Sequence, residues 1–217
     1  MRPACVLVVM MVTAGAVVAD DKPKSLAHDF EAAKVGGVPK GWTVARTGTG
    51  EGSVWAVAED KTAPKGSKVL AQTAAGPAAM FNLCVADDTA FADVEVSVAF
   101  KAINGDKDQG GGVVWRYADA DNYYVARFNP LEDNYRLYHV VAGKRTQIGG
   151  KEGLKAKAGE WHTLKVRMVG EAITCSLNGK VEIEAQDKTL GKAGKVGLWT
   201  KADAQTYFDD FAAKEAK

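Results

Sequence analysis

The sequence predicts an all-β chain folded as a sandwich, or jelly roll, of two antiparallel sheets. Short runs rich in Val, Tyr, Phe and Trp recur along its length, clusters of Gly, Asn, Asp and Pro separate them, and helical periodicity is weak throughout. Short strands punctuated this often belong to antiparallel sheets, because parallel βαβ units need a long crossover between strands.

Taken in order, Met1–Ala19 opens with Arg2, runs through the apolar stretch Cys5–Val12 and ends in Val17-Val18-Ala19, small residues of the kind a signal peptidase reads. Export is expected, to the periplasm or the medium, with a mature start near Asp20. No later stretch has the apolar length of a membrane span. Asp20–His28 is expected to be a flexible tail ahead of a single domain over 29–212. A short strand is predicted around Asp29-Phe30-Glu31, then a Gly/Pro bend from Gly36 to Gly41, with Trp42 and Trp55 as apolar anchors. Gly48, Gly50 and Gly52 precede no helix and no Gly-Lys-Ser/Thr, so they read as a turn rather than a nucleotide loop. Strands follow over Lys68–Thr73, Ala79–Ala86 and Val94–Ala102, the last with Val94, Val96, Val98 and Phe100 in step.

The central meander occupies Gly110–Gly150, with strands predicted over Val113–Tyr117, Tyr123–Asn129 and Tyr135–Ala142. Alternation puts Trp115, Tyr124, Ala126, Phe128, Tyr135, Leu137 and Val141 on the core side. Beyond it, Trp161–Met168 and Ala172–Leu177 pair, Asn178-Gly179 supplies a two-residue turn, and Lys180–Ala185 returns. Lys195–Thr200 and Thr206–Phe211 close the domain, and Ala212–Lys217 reads as a helical tail.

Without Arg2 the net charge of +1 falls to about zero, and the lysines of Lys151–Lys157 lack interleaved aromatics, so neither nucleic acid nor another charged partner is implied. His28, His139 and His162 are scattered, there is no Cys-x-x-Cys and no Gly-x-Ser-x-Gly, and nothing supports zinc or a serine nucleophile. Cys84 and Cys175 fit either a disulfide or a pair of buried thiols.

Phe30, Pro39, Gly41 and Trp42, then Asp121-Asn122-Tyr123-Tyr124 with Arg127, Gly159-Glu160-Trp161, Leu177-Asn178-Gly179, Gly194-Lys195-Val196-Gly197-Leu198-Trp199 and Phe208-Asp209-Asp210-Phe211 together carry a family likeness. On these residues the chain resembles secreted bacterial concanavalin A-like lectin/glucanase domains, nearest to laminin-G-like and 3-keto-disaccharide-hydrolase-like members. The resemblance implies a jelly-roll β-sandwich. It implies three functions: a carbohydrate-binding domain, a hydrolase of the 3-keto-glycoside type, or a laminin-G-like interaction module. The E-x-D-x-x-E strand of laminarinase-type glycosidases is missing, Glu132-Asp133 are loop neighbours, and Glu182, Glu184 and Asp187 are differently spaced, so paired-carboxylate hydrolysis has no motif to stand on.

The site candidates come from strand parity. Opposite the predicted core face lie Arg116, Tyr123, Arg127, Asn129, Arg136 and Tyr138, and Trp199 and Lys201 reach the same outer face if Val196 and Leu198 are core. Guanidinium forks and amides bond hydroxyls while aromatic rings cover sugar faces, so a solvent-facing carbohydrate patch is expected there, with cross-strand Arg–Tyr pairing as the ordinary alternative. If the first and last strands lie side by side, Asp29, Glu31, Asp209 and Asp210 offer the hard oxygens that suit calcium.

Overall fold

The computed structural model describes residues 24–51 and 53–217, so the expected signal segment Met1–Ala19 lies outside the described residues. The strands, in chain order, are β1 (Ser25–His28), β2 (Trp42–Thr47), β3 (Trp55–Glu59), β4 (Lys68–Gln72), β5 (Phe81–Ala86), β6 (Val94–Asn104), β7 (Gly111–Asp119), β8 (Asn122–Asn129), β9 (Asn134–Val141), β10 (Lys144–Glu152), β11 (His162–Val169), β12 (Ala172–Leu177), β13 (Lys180–Gln186), β14 (Lys195–Lys201) and β15 (Gln205–Glu215). They form a β-sandwich. The front sheet has seven strands in the order β10-β9-β8-β7-β14-β5-β2. The back sheet has eight, β13-β12-β11-β6-β15-β4-β3 with β1 beside β15, and every pairing in both sheets is antiparallel. Among the described residues there is no helix, and none that could cross a membrane.

The core between the sheets follows the alternation. Trp115, Tyr124, Ala126, Phe128, Tyr135 and Leu137 of the front sheet meet Val94, Val96, Val98, Phe100, Leu164, Val166 and Phe208 of the back sheet, all of them buried. Trp115 and Tyr124 stack with ring centroids 5.5 Å apart, and the Trp115 indole donates to Met168 Sδ at 3.1 Å. Cys84 and Cys175 are both free and buried in this core, where burial pushes each thiol well above its ordinary pKa. Trp42 and Trp55 are core residues as expected, whereas Val141, placed there by alternation, is 37% exposed at the end of its strand.

Several boundary expectations fail for one reason: pairing partners distant in sequence decide them. Ser25–His28 is not a free tail but β1, paired with Ala212–Lys214 and Phe211 of β15. The same partnership, with Ser97–Val94 of β6 on the other side, keeps the chain extended to Glu215, so the expected C-terminal helix does not form. Asp29-Phe30-Glu31 is a turn in which Phe30 adopts φ 60° so that its ring enters the core between His28 and Trp42. β10, predicted by no hydrophobic alternation, is held as an edge strand by β9.

The front sheet curls strongly toward its outer face. Thr47 of β2 and Tyr123 of β8 are separated by three intervening strands, yet their hydroxyls bond at 2.8 Å. Arg145 of β10 lies 5.0 Å from the Phe81 ring of β5, although four strands intervene and a flat sheet would hold them more than about 20 Å apart. Gly112 and Gly197 permit the curl. Both point to the concave side, where a Cβ would press into the Ala126 carbonyl and the Cys84 carbonyl respectively, so the neighbouring backbones approach more closely than any side chain allows.

Candidate functional site

The curl turns the outer face of the front sheet into a furrow. Phe81, Leu83 and Val85 of β5, Val114 of β7, Tyr123 and Val125 of β8, Tyr138 and Val140 of β9 and Trp199 of β14 form a second apolar cluster there, apart from the main core. Parity places Tyr123, Arg127, Asn129, Arg136, Tyr138, Trp199 and Lys201 on this one face, as their strand registers require. It does not leave them open to solvent. Tyr123, Asn129, Trp199, Arg127 and Tyr138 are all at least 96% buried, and only Arg136 and Lys201 keep partly exposed side chains. The expected flat, wet patch is therefore corrected to a narrow and largely desolvated furrow.

Its aromatic part is capped by a cation. The Arg145 guanidinium stands 4.3 Å from the Tyr138 ring, 5.0 Å from Phe81 and 5.9 Å from Trp199, within cation–π reach of all three. Thr47 donates to the Ala120 carbonyl at 2.5 Å and so receives the Tyr123 hydroxyl proton. Burial, against the help of Thr47, raises the Tyr123 phenol well above its ordinary range.

The polar part is a chain of hydrogen bonds. Arg127 donates from Nη1 to Asn134 Oδ1 and from Nη2 to Glu132 Oε2, both at 2.8 Å, and Asn134 Nδ2 donates to the same Glu132 oxygen at 3.0 Å. Asn129 Oδ1 accepts from the Leu131 and Glu132 amides, which fixes the turn carrying Glu132, while its Nδ2 donates to Asp108 Oδ1 at 3.2 Å. Lys201 Nζ reaches Asp108 Oδ2 at 3.1 Å. Asp203 accepts from the amides of Asp106, Lys107 and Asp108 and so holds the loop that delivers Asp108.

These surroundings push the two carboxylates apart. Burial raises Asp108 above the usual carboxylate range, the nearby Arg127 and Lys201 charges opposing it only in part and the Glu132 charge adding to it. Burial would raise Glu132 too, but the hydrogen bonds from Arg127 and Asn134 outweigh it and hold Glu132 below its ordinary value. One furrow thus contains a carboxyl whose pKa is raised and another whose pKa is lowered.

Several buried polar atoms in the furrow have no hydrogen-bond partner: Trp199 Nε1, Tyr138 Oη, Arg127 Nε, Arg136 Nε and Arg145 Nη1. Trp199 Nε1 approaches the Tyr123 hydroxyl, and the Arg136 guanidinium approaches Tyr138, closely enough for electrostatic influence but without hydrogen-bond geometry.

Arg116 does not belong to this site. It sits at φ 45° in a bulge of β7 and donates to the carbonyls of Ala92, Leu190 and Gly170 at 2.7–2.9 Å, with Asp93 at 3.5 Å. The bulge adds residues out of step, and alternation counted across it fails. Asp108, Glu132, Asn134 and Arg145 are among the furrow residues that sequence reading missed. Arg145 was within reach, because the short Ala142-Gly143 turn returns the chain so that Arg145 opposes Val140 on the parity of Tyr138.

Three of the four carboxylates expected to hold calcium accept from backbone amides. Asp29 Oδ1 accepts from the Glu31 amide, Glu31 Oε1 from the Ser67 and Lys68 amides, and Asp209 from the Lys65 and Asp210 amides. Among the described residues no group of three or more His, Cys, Asp or Glu is placed to hold a metal ion.

Residues 36–214 match the family model described as "3-keto-alpha-glucoside-1,2-lyase-like domain". No curated protein matches the chain. Among solved structures it is similar to the carbohydrate-binding module CBM66 from Bacillus subtilis, at 17% identity and TM-score 0.65 over 81% of this chain and 96% of that one. It is similar also to the cellulose-induced protein Cip1, at 12% identity and TM-score 0.60 over 88% and 97%. A third similarity is to the exoplasmic/lumenal domain of VIP36 in its Ca2+/Man-bound form, at 12% identity and TM-score 0.58 over 89% and 90%. At such identities the likeness is one of fold, the jelly-roll sandwich of lectins and carbohydrate-binding modules.

Proposed function

The chain belongs to the family of 3-keto-alpha-glucoside-1,2-lyase-like domains, and from that premise we propose that it takes a carbohydrate in the furrow of the front sheet. The observation that carries this reading is the set of unpartnered donors, Trp199 Nε1, Tyr138 Oη, Arg127 Nε and Arg145 Nη1, buried in a furrow lined by aromatic rings. A buried donor without a partner costs about 1–3 kcal/mol, and several in one place make sense where a polyhydroxylated ligand supplies the acceptors. Rings beside such donors are the usual complement of a sugar, whose C–H face stacks while its hydroxyls bond. A glycan array with the mature protein, followed by calorimetry on the hits and on Trp199→Phe, tests the reading. Binding that survives unchanged in the variant would move the site elsewhere.

A second reading, elimination at the same furrow, is favoured by the opposed carboxyls. A ketone at C3 of a glucoside acidifies the C2 proton, so a base that takes it and an acid that protonates the departing C1 oxygen complete a 1,2-elimination. Glu132, whose pKa is lowered, suits the base, and Asp108, whose pKa burial raises, is the one that takes up a proton more readily and so suits the acid. Incubation with a 3-keto-glucoside and product analysis decides between binding and turnover. Loss of turnover in both Asp108→Asn and Glu132→Gln is the expected outcome if elimination occurs. We place the protein outside the cytoplasm on the strength of Met1–Ala19, and N-terminal sequencing of the mature chain should begin near Asp20.

A further inference from the structure

The charges lining the furrow do not balance. Lys201 pairs with Asp108 at 3.1 Å, Arg127 with Glu132 at 2.8 Å and Arg136 with Glu152 at 3.2 Å, each cation matched by a carboxylate. Arg145 has no such partner among the described residues. Its guanidinium is spread over Tyr138, Phe81 and Trp199, and its Nη1 is buried with nothing to donate to.

Nothing in the fold explains an arginine at this position. An edge strand has open water on one side, and a long cationic side chain on such a strand normally extends into it. Here the head group turns inward over the furrow's rings, where burial pushes its pKa below the ordinary arginine value, with Arg127 adding to the fall and Tyr138 and Asp108 opposing it only in part. Cation–π attraction offsets part of that cost but leaves the buried Nη1 unsatisfied. An arginine set against aromatic rings with a donor to spare suits a carboxylate, the planar two-oxygen anion that a guanidinium recognises best. Two further donors without partners, Trp199 Nε1 and Tyr138 Oη, belong to the same rings over which the guanidinium lies, and both side chains are at least 96% buried.

We infer that the furrow selects an acidic sugar, a glycoside bearing a carboxylate of the uronate type, whose carboxylate is received by Arg145 while Trp199 and Tyr138 bond its neighbouring hydroxyls. This rests on the carbohydrate reading above and sharpens it from sugars in general to carboxylated ones. Arg145 is then the specificity-determining residue, and the paired cations Arg127 and Lys201 are not free to take the anion because Glu132 and Asp108 already hold them.

The test is a calorimetric comparison of a neutral gluco-oligosaccharide with its uronate counterpart, on wild type, Arg145→Gln and Arg145→Lys, with inorganic sulfate and phosphate as competitors. The wild type is expected to bind the uronate about ten- to a hundredfold more tightly than the neutral sugar, a preference that weakens as salt rises. Arg145→Gln should bring the ratio of the two affinities close to one, and Arg145→Lys should retain part of it. Thermal melting of both variants confirms that they are folded. Equal affinities in the wild type, with neutral binding reduced by Trp199→Phe, would overturn the acid preference and leave the furrow reading standing. Binding of neither sugar would overturn both. A preference that persists in Arg145→Gln would also overturn the assignment, and competition by sulfate or phosphate as strong as by free uronate would show an anion site without selectivity for a carboxylated sugar.

Discussion

The two faces of the front sheet are built from the same strands and nearly the same residue types, yet they use them differently. On the inner face Trp115, Tyr124, Phe128 and Leu137 are covered by the back sheet, and the Trp115 indole and Tyr124 hydroxyl both find partners, the latter donating to Asp187 Oδ1 at 2.5 Å. The inner exceptions are Tyr135 Oη and Asn82 Oδ1. On the outer face Trp199, Tyr138 and Arg127 are as deeply buried, but by the sheet's own curl, and each leaves a donor open. The inner face is a finished interface between two halves of one chain. The outer face has the same desolvation without the partners, which is the state of a surface made for something that arrives later.

The largest effect that would sharpen this contrast concerns the two arginines at the ends of it, Arg116 and Arg145. Arg116→Ala should cost about 3–5 kcal/mol in urea unfolding, because it leaves the Ala92, Leu190 and Gly170 carbonyls without the donor they share. Its ligand affinity, measured on the folded fraction, should be unchanged. If instead Arg116→Ala impaired binding at constant stability, the separation between structural and furrow arginines drawn above would be broken.

A buried charge outside the furrow supplies the control for pH. Asp209 on β15 is fully buried, and burial, with the charges of Asp210 and Asp29, raises its pKa to about 6. A carboxyl raised in the folded state binds its proton more tightly there than in the unfolded chain. Its contribution to stability is therefore complete below about pH 4 and is lost as pH rises toward and through 6. Asp209→Asn keeps an acceptor for the Lys65 amide and abolishes the titration. Between pH 4 and pH 7 the stability difference should move in the variant's favour by roughly 3 kcal/mol, an upper estimate from a shift of about two units. Parallel pH profiles for the two proteins would refute it.

Arg127→Ala comes next, at about 2 kcal/mol, since Glu132 loses its Nη2 donor and Asn134 its Nη1 donor, but Glu132 keeps 39% of its side-chain exposure and can be rehydrated. Both melting and sugar affinity should fall, because the change unmakes the turn that carries Glu132. A variant that lost affinity alone would return Arg127 to the role of a free ligand donor. The smallest expected change is Trp199→Phe, which keeps most of the ring area and removes Nε1. Stability should change by less than about 1 kcal/mol while sugar affinity drops about tenfold, by the loss of one donor.

Sequence reading reached the parity of β8 and β9 without error, because Tyr124, Ala126 and Phe128 against Tyr123, Val125 and Arg127 leave only one apolar face for a core. It failed on Arg116, where a bulge shifts the count, and on β1 and the last residues of β15, where each strand exists only because the other pairs with it. It also took burial for solvation across the outer face. Each strand there looks half-wet on its own, and the closeness of Thr47 to Tyr123, or of Arg145 to Phe81, is a relation between strands that never pair.

What the residues determined alone is therefore local and periodic: an all-β chain, most of its strands, the side of the meander that forms the core, and the common face of Tyr123, Arg127, Asn129, Arg136, Tyr138, Trp199 and Lys201. These follow from alternation, which a strand obeys whatever it packs against. Tertiary structure alone decided that this face is a furrow, that Asp108 and Arg145 belong to it, and that Arg145 goes unpaired while Arg127 does not. Sheet curvature sums small backbone rotations over many strands, and it is permitted here by Gly112 and Gly197 meeting particular neighbouring carbonyls. No single strand contains both members of such a contact, so the curl, and the charge it encloses, exist only in the folded chain.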